Sequence, residues 1–445
     1  MRYLKIKERR CTPEGCRIKK MSTKTIPVTV LAGFLGAGKT TLLNNILRDP
    51  QGHKIAVIVN DIGEINIDAE LISKGGFVDQ NTKASENEVM ALSNGCICCT
   101  LQPDLIKQIT TLLERNRCDY ILIEASGICE PQPIAETIEA VSQGLAESHA
   151  PVQCRLDSVI TVTDAFRLAD EFECGEHFTD HDDHDHDDDD EDEDEEEEDL
   201  DSLLIQQIEF CNIVLLNKTD LIDDEQKKQI TAVVKALNPS AEIIESDHCK
   251  VDISSIIDTN KFDLGEAYRA AGWAKAMEEE EQAEREEHHG HHDHDDDDDD
   301  DDHDEHHGHH HHHDHDHHGE GEALEYGINT CVFSEVKPFS RAKFEEIMPE
   351  LGKSIIRSKG FVWFKEQPDI VYIFEQCGKQ LTLQPASKWV AAMPERDRKQ
   401  VLRDYPDIAA SWDDKYGDRL NRVVFIGQGI NEDKIRTELV KALAE

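Results

Sequence analysis

The segment Gly33-Phe-Leu-Gly-Ala-Gly38-Lys39-Thr40 constrains this chain more than any other, because it matches G-x-x-x-x-G-K-[ST] in full. It follows an apolar β-branched run and opens a helical one, the context such a loop requires. Glycines at 33, 36 and 38, with Ala37 between them, let consecutive backbone N–H groups point inward around phosphates. The helix that begins with Lys39, Thr40 and Thr41 adds its positive dipole end. Lys39 is expected to reach the β and γ phosphates, and the Thr40 hydroxyl to ligate Mg²⁺.

Short apolar strands alternate with helical stretches around this loop. The runs are Pro27 to Gly33 then Lys39 to Arg48; Lys54 to Asn60; Asp119 to Ala125 then Ile134 to Gln143; Asp157 to Asp164; and Asn212 to Asn217 then Gln226 to Leu237. Such alternation predicts an α/β fold, a P-loop NTPase domain whose mostly parallel sheet is covered on both faces. The domain is expected over residues 26–260, behind a polar tail at 1–25 and with an acidic insertion at 180–199. Residues 261–325 read as a helix, Lys261 to Glu287, grading into a His/Asp-rich linker. The last segment, 326–445, reads as a small α+β domain with strand-like runs at Asn329 to Val336, Gly360 to Phe364, Ile370 to Phe374 and Arg422 to Ile426. Helical runs there are Arg341 to Leu351 and Asn431 to Leu443.

Two strand ends complete a nucleotide site. Ile121-Leu-Ile-Glu124 closes an apolar strand on a carboxylate, where a P-loop enzyme holds magnesium through its water shell. Asn217-Lys218-Thr-Asp220 ends another; an aspartate there accepts hydrogen bonds from the two guanine donors that adenine lacks. GTP is therefore the expected nucleotide.

Cys96-Ile-Cys98-Cys99 places three thiols within four residues, after a Ser-Asn-Gly turn. Thiolates converging from a turn suit a soft or borderline cation such as Zn²⁺, Co²⁺ or Cu⁺, and three ligands leave a fourth tetrahedral position open for metal release. A second metal feature is diffuse: residues 288–318 comprise 16 His, 12 Asp, one Glu and two Gly, many weak exchanging ligands on a segment without a core. Cys118, Cys154, Cys174, Cys211, Cys249, Cys331 and Cys377 lie in or beside apolar runs and read as small core residues. Cys11, Cys16 and Cys129 receive no role from the sequence.

Composition excludes other classes. The net charge of −48 repels phosphate backbones and anionic lipid, arguing against nucleic acid and membrane surfaces as partners. Much of that charge is local: residues 180–199 carry 17 acids and no base, and 278–318 carry 20 acids and one base. No apolar run reaches the roughly 20 residues of a membrane span, and MRYLKIKERR holds no apolar leader core. Thirteen cysteines without a secretion signal read as reduced thiols or ligands, so the cytoplasm is the expected compartment.

Taken in order and spacing, the P-loop, Asn60-Asp61-Ile-Gly-Glu64-Ile-Asn-Ile-Asp68, Cys96-Ile-Cys-Cys99, Glu124-Ala-Ser-Gly127 and Asn217-Lys-Thr-Asp220 resemble the CobW-type metallochaperone GTPases. Arg357-Ser-Lys-Gly-Phe-Val-Trp-Phe364 and Phe425-Ile-Gly-Gln-Gly429 resemble their second domain. The resemblance implies a zinc-handling GTPase that loads Zn²⁺ at the cysteine loop and passes it to a client zinc-dependent apoenzyme when GTP is hydrolysed. It implies that residues 60–68 form a nucleotide-sensing switch, with Asp61 and Glu64 as metal-ligand candidates and Lys39, Thr40 and Glu124 as the catalytic set. This chain has Asp61 where the family pattern has glutamate, and Cys129 adds a thiol after Gly127. A homodimer is the candidate assembly, and Trp363, Trp389 and Trp412 are aromatic candidates for client contact or core. Two other readings keep the same site: a zinc store with a regulatory GTPase, and a GTPase that delivers cobalt or nickel.

Overall fold

The computed structural model describes residues 23–60, 88–92, 102–172, 202–289, 326–351, 354–377 and 380–444. Among the described residues, seven strands form the first sheet: β1 Lys24–Ala32, β2 Ile55–Asn60, β3 Glu88–Leu92, β4 Tyr120–Glu124, β5 Val152–Asp164, β6 Ile213–Asn217 and β7 Glu242–Glu245. Their order is β3-β2-β4-β1-β5-β6-β7, and every pairing is parallel. Alternate residues feed opposite faces, as the period of two demands. Val28, Ile58, Ile121 and Val214 join one core, whereas Leu31, Val57, Leu122 and Leu215 join the other, against helix Lys39–Arg48. Both faces are apolar because both are covered, which is the pattern of a parallel sheet.

The parallel arrangement sets the site. All seven strands deliver their carboxyl ends to one edge, and the connections leaving the adjacent strands β1 and β5 run in opposite directions, to β2 and to β6, which makes the switch point where open α/β sheets bind ligands. Leu31 and Val59 both pair with Glu124, and Asn60 pairs with Leu92, so β1, β2, β3 and β4 end level.

The second sheet is antiparallel: β8 Ile328–Glu335, β9 Ile355–Val362, β10 Ile370–Cys377, β11 Gln380–Lys388 and β12 Asn421–Gln428, in the order β11-β10-β9-β12-β8. Along β12, Val423 and Phe425 face a core with helices Arg341–Leu351 and Glu432–Ala442. The intervening Val424 and Ile426 join the core of the first domain, beside Ala267 and Met277. The two sheets are thus joined by a continuous apolar contact.

Several boundaries differ from the sequence expectation. The helix expected over 261–287 is two helices, Leu264–Ala270 and Gly272–His289, broken where Ala271 adopts an extended ψ of 134°. At the break Gly272 lies so close to the Ala236 carbonyl that a Cβ would come within 1.9 Å of its oxygen. Strand β11 was not expected: it carries Pro385, which removes a ladder donor, and the sheet accepts it because β11 is an edge. Strand β5 starts five residues early, because polar Gln153 and Arg155 continue the ladder with Thr25 and Pro27 of β1. Trp363 and Trp389 are both buried in one small cluster with Val371, so neither presents its ring to a client. Trp412 is partly exposed.

Candidate functional site

The P-loop is shaped by backbone that only glycine accommodates comfortably. Gly33, Gly36 and Gly38 have φ of 132°, 77° and 120°, and a Cβ on Gly33 would lie 2.1 Å from the Val162 carbonyl oxygen of β5. Ala37 is buried beneath the loop, and its carbonyl accepts a bond from Asn217. Lys39 is 8% exposed, and its ammonium donates to the carbonyls of Gly33 at 2.8 Å and Phe34 at 3.0 Å. That geometry holds the cation over the loop where the terminal phosphates are expected. Thr41 is exposed on the same first turn.

Thr40 and Glu124, 84 residues apart in sequence, meet at this edge: the Thr40 Oγ1 donates to Glu124 Oε1 at 2.8 Å. Glu124 is 1% exposed at the end of β4. A hydroxyl beside a carboxylate is an oxygen donor pair that suits a hard cation, so these residues fit Mg²⁺.

The base side of the site is clipped together by Asn217. Its Nδ2 donates to the Ala37 carbonyl at 2.8 Å, and its Oδ1 accepts from the Cys249 backbone N–H at 2.9 Å and the Ser246 hydroxyl at 3.2 Å. Lys218 sits in the left-handed region with φ of 62°, an uncommon state for a residue with a Cβ, and its Nζ reaches Asp164 Oδ2 at 2.5 Å. Asp220 follows on the turn Thr219–Leu221 and is exposed.

The loop at 246–249 was missed as a site element by sequence reasoning. Asn45 donates to the carbonyls of His248 at 3.1 Å and Cys249 at 2.9 Å, and the Cys249 thiol donates to the Gly38 carbonyl at 3.4 Å. Burial pushes that thiol up to about 12, so it stays protonated and donates at neutral pH. The available signal was position: Ser246 to Cys249 directly follow a strand end at the edge that carries Asn217. Asp164, which pairs with Lys218 and caps helix Ala165–Glu171, was also missed. Cys129 is fully buried, one turn beyond Ser126, whose carbonyl accepts from its N–H at 3.1 Å.

The expected zinc ligands Cys96, Cys98 and Cys99, with Asp61 and Glu64, lie outside the described residues, as do Cys11, Cys16 and Cys174. The segments that contain the ligands leave the described chain at Asn60 and Leu92, level with Glu124 at the nucleotide edge. Among the described residues no group of three or more His, Cys, Asp and Glu side chains is placed to hold a metal. No described helix is long and apolar enough to cross a membrane.

Comparison with known proteins extends over both sheets. The model of the CobW/HypB/UreG nucleotide-binding domain matches residues 27–245, and that of the cobalamin synthesis protein cobW C-terminal domain matches residues 328–443. Zinc-regulated GTPase metalloprotein activator 1 of Dictyostelium discoideum is 34% identical over 435 residues, 96% of this chain and 82% of that protein. Zinc chaperone CobW of a Sinorhizobium species is 36% identical over 206 residues, 46% of this chain and 54% of that protein. Among solved structures, Zn(II)-bound YjiA GTPase from E. coli aligns over 94% of this chain and 99% of its own, with 20% identity and a TM-score of 0.38. With a P-loop at the switch point of its parallel sheet and both family domains matched in order, this chain belongs to the CobW family.

Proposed function

We propose that this chain is a GTP-hydrolysing zinc metallochaperone of the cytoplasm, which binds Zn²⁺ through Cys96, Cys98 and Cys99 and transfers it to a client zinc-dependent apoenzyme. The observation that carries the nucleotide half is the meeting of Thr40 and Glu124 at 2.8 Å beside a glycine-shaped loop. Guanine preference is supported by Asn217, Lys218 and Asp220, which follow β6 at the same edge. The zinc half is supported by the cysteine spacing and by the names of relatives, a zinc-regulated GTPase metalloprotein activator and a zinc chaperone.

In this reading each residue has a task. Gly36, Ala37, Gly38 and the first amides of helix Lys39–Arg48 hold the phosphates through backbone N–H groups. Lys39 turns from the Gly33 and Phe34 carbonyls to the β and γ phosphates. Thr40 and Glu124 hold Mg²⁺, which when bound offsets the charge developing between those phosphates. Zinc is cargo, and Asp61 and Glu64 follow the end of β2 in the sequence and are proposed to join its ligands.

Cys98→Ser tests the zinc assignment. The variant is expected to lose stoichiometric high-affinity zinc binding, measured by competition with a chromogenic chelator. Measured without zinc, its affinity for GTP should stay within about 3-fold of wild type, since the thiol is not part of the phosphate loop. Tight zinc binding retained in Cys98→Ser would place the cargo site elsewhere. The same titration with Co²⁺ and Ni²⁺ separates zinc delivery from cobalt or nickel delivery.

A further inference from the structure

The segment that follows Glu124 is tied to the antiparallel sheet through one helix, at residues 202–210. Gly127 lies under the P-loop, where a Cβ would come within 2.8 Å of the Leu35 backbone nitrogen. Its carbonyl and that of Cys129 both accept from Gln207 Nε2, at 3.5 and 3.0 Å. Gln207 is fully buried, and its Oε1 has no hydrogen-bond partner among the described residues. A buried acceptor without a partner is costly, so the amide is not there for packing alone; its nitrogen is the functional end.

Two residues along the same helix, Glu209 grips Arg357 of β9 with both oxygens, Nε to Oε1 at 2.8 Å and Nη2 to Oε2 at 3.1 Å. Arg357 is 1% exposed, and its Nη1 donates to Cys377 Sγ of β10 at 2.7 Å. A cleft of about 400 Å³ opens at this junction, lined on one side by Glu130 and Gln206 and on the other by Arg357 and Lys359. One short helix therefore bonds to the loop beside the phosphates at Gln207 and to the second sheet at Glu209.

We propose that Gln207 is a positioning residue: it sets the carbonyls of Gly127 and Cys129, and through Glu209 and Arg357 it carries the nucleotide state of that loop to β9 and β10. This rests on the reading that the chain binds and hydrolyses GTP. A surface that changes with nucleotide at the second sheet is what a client-recognising domain requires.

The test uses the full chain with GDP and with a non-hydrolysable GTP analogue, reading hydrogen–deuterium exchange of amides in residues 355–362 and 370–377. Wild type is expected to protect these amides differently in the two complexes. Gln207→Leu keeps the volume, removes the donor, and is expected to abolish the difference and lower kcat by at least about 10-fold with KM for GTP little changed. Arg357→Lys keeps the charge but loses the fork, and is expected to abolish the difference in the sheet while leaving kcat within about 3-fold. If Gln207→Leu does not fold, Gln207→Glu carries the same test, because it replaces the donating amide with an acceptor of equal shape. A nucleotide-dependent difference that persists in these variants overturns the relay, as does its absence in wild type that binds the analogue. Wild type that binds no GTP overturns the underlying nucleotide reading instead.

Discussion

Cys211 lies at the base of β6, fully buried against the Ile208 carbonyl, to which its thiol donates at 3.3 Å. Burial pushes this thiol up to about 12 from an ordinary value of 9.0. The folded chain therefore keeps a proton that the unfolded chain releases above about pH 9. The contribution to stability is complete below that pH and is lost as pH rises toward 12, at about 1.4 kcal/mol per pH unit. Denaturant unfolding between pH 8 and 11 should show a steeper decline for wild type than for Cys211→Ala. Parallel curves would mean that the thiol ionises as freely in the folded state as in the unfolded one. Residues of this kind were legible as core cysteines, because they sit in apolar runs. Cys249 was not legible as part of the site, because its contacts join it to Asn217, 32 residues away, and to Gly38, 211 residues away.

At the scale of elements, motif and periodicity located what is local. The P-loop, its helix, and the strands ending at Glu124 and Asn217 could be read because glycine spacing and apolar runs act within ten residues. The break at Ala271, edge strand β11 and the role of the helix at 202–210 depend on packing against distant chain, which no local pattern encodes. That helix makes an energetic prediction. Glu209 and Arg357 are both buried, so Arg357→Ala leaves a carboxylate without its partner and should cost about 3–5 kcal/mol of unfolding free energy. The double replacement Glu209→Gln with Arg357→Met, which removes both charges, should cost less than the single one. Equal losses would show that the pair acts through volume rather than charge. We propose domains at 26–260 and 326–445, within which the family models fall, at 27–245 and 328–443.

For the whole molecule, the decisive fact is that one edge of one sheet gathers everything. β1 supplies the phosphate loop and β4 supplies Glu124, while β2 and β3 end level with them at Asn60 and Leu92. Three residues of chain separate Leu92 from Cys96, and Asp61 directly follows Asn60. The chain segments that carry the thiols and the phosphate loop thus leave β3 and β1 at the same edge of one sheet, with β2 and β4 between them. If GTP tightens zinc by some factor, zinc tightens GTP by the same factor, because binding linkage is reciprocal. The most direct measurement is the zinc dissociation constant of the full chain in its GTP-analogue and GDP complexes. Zinc is expected to bind more tightly in the analogue complex, by about 5- to 150-fold, with the same factor recovered when nucleotide is titrated with and without zinc. Equal zinc constants in the two complexes would mean that nucleotide and metal are not coupled.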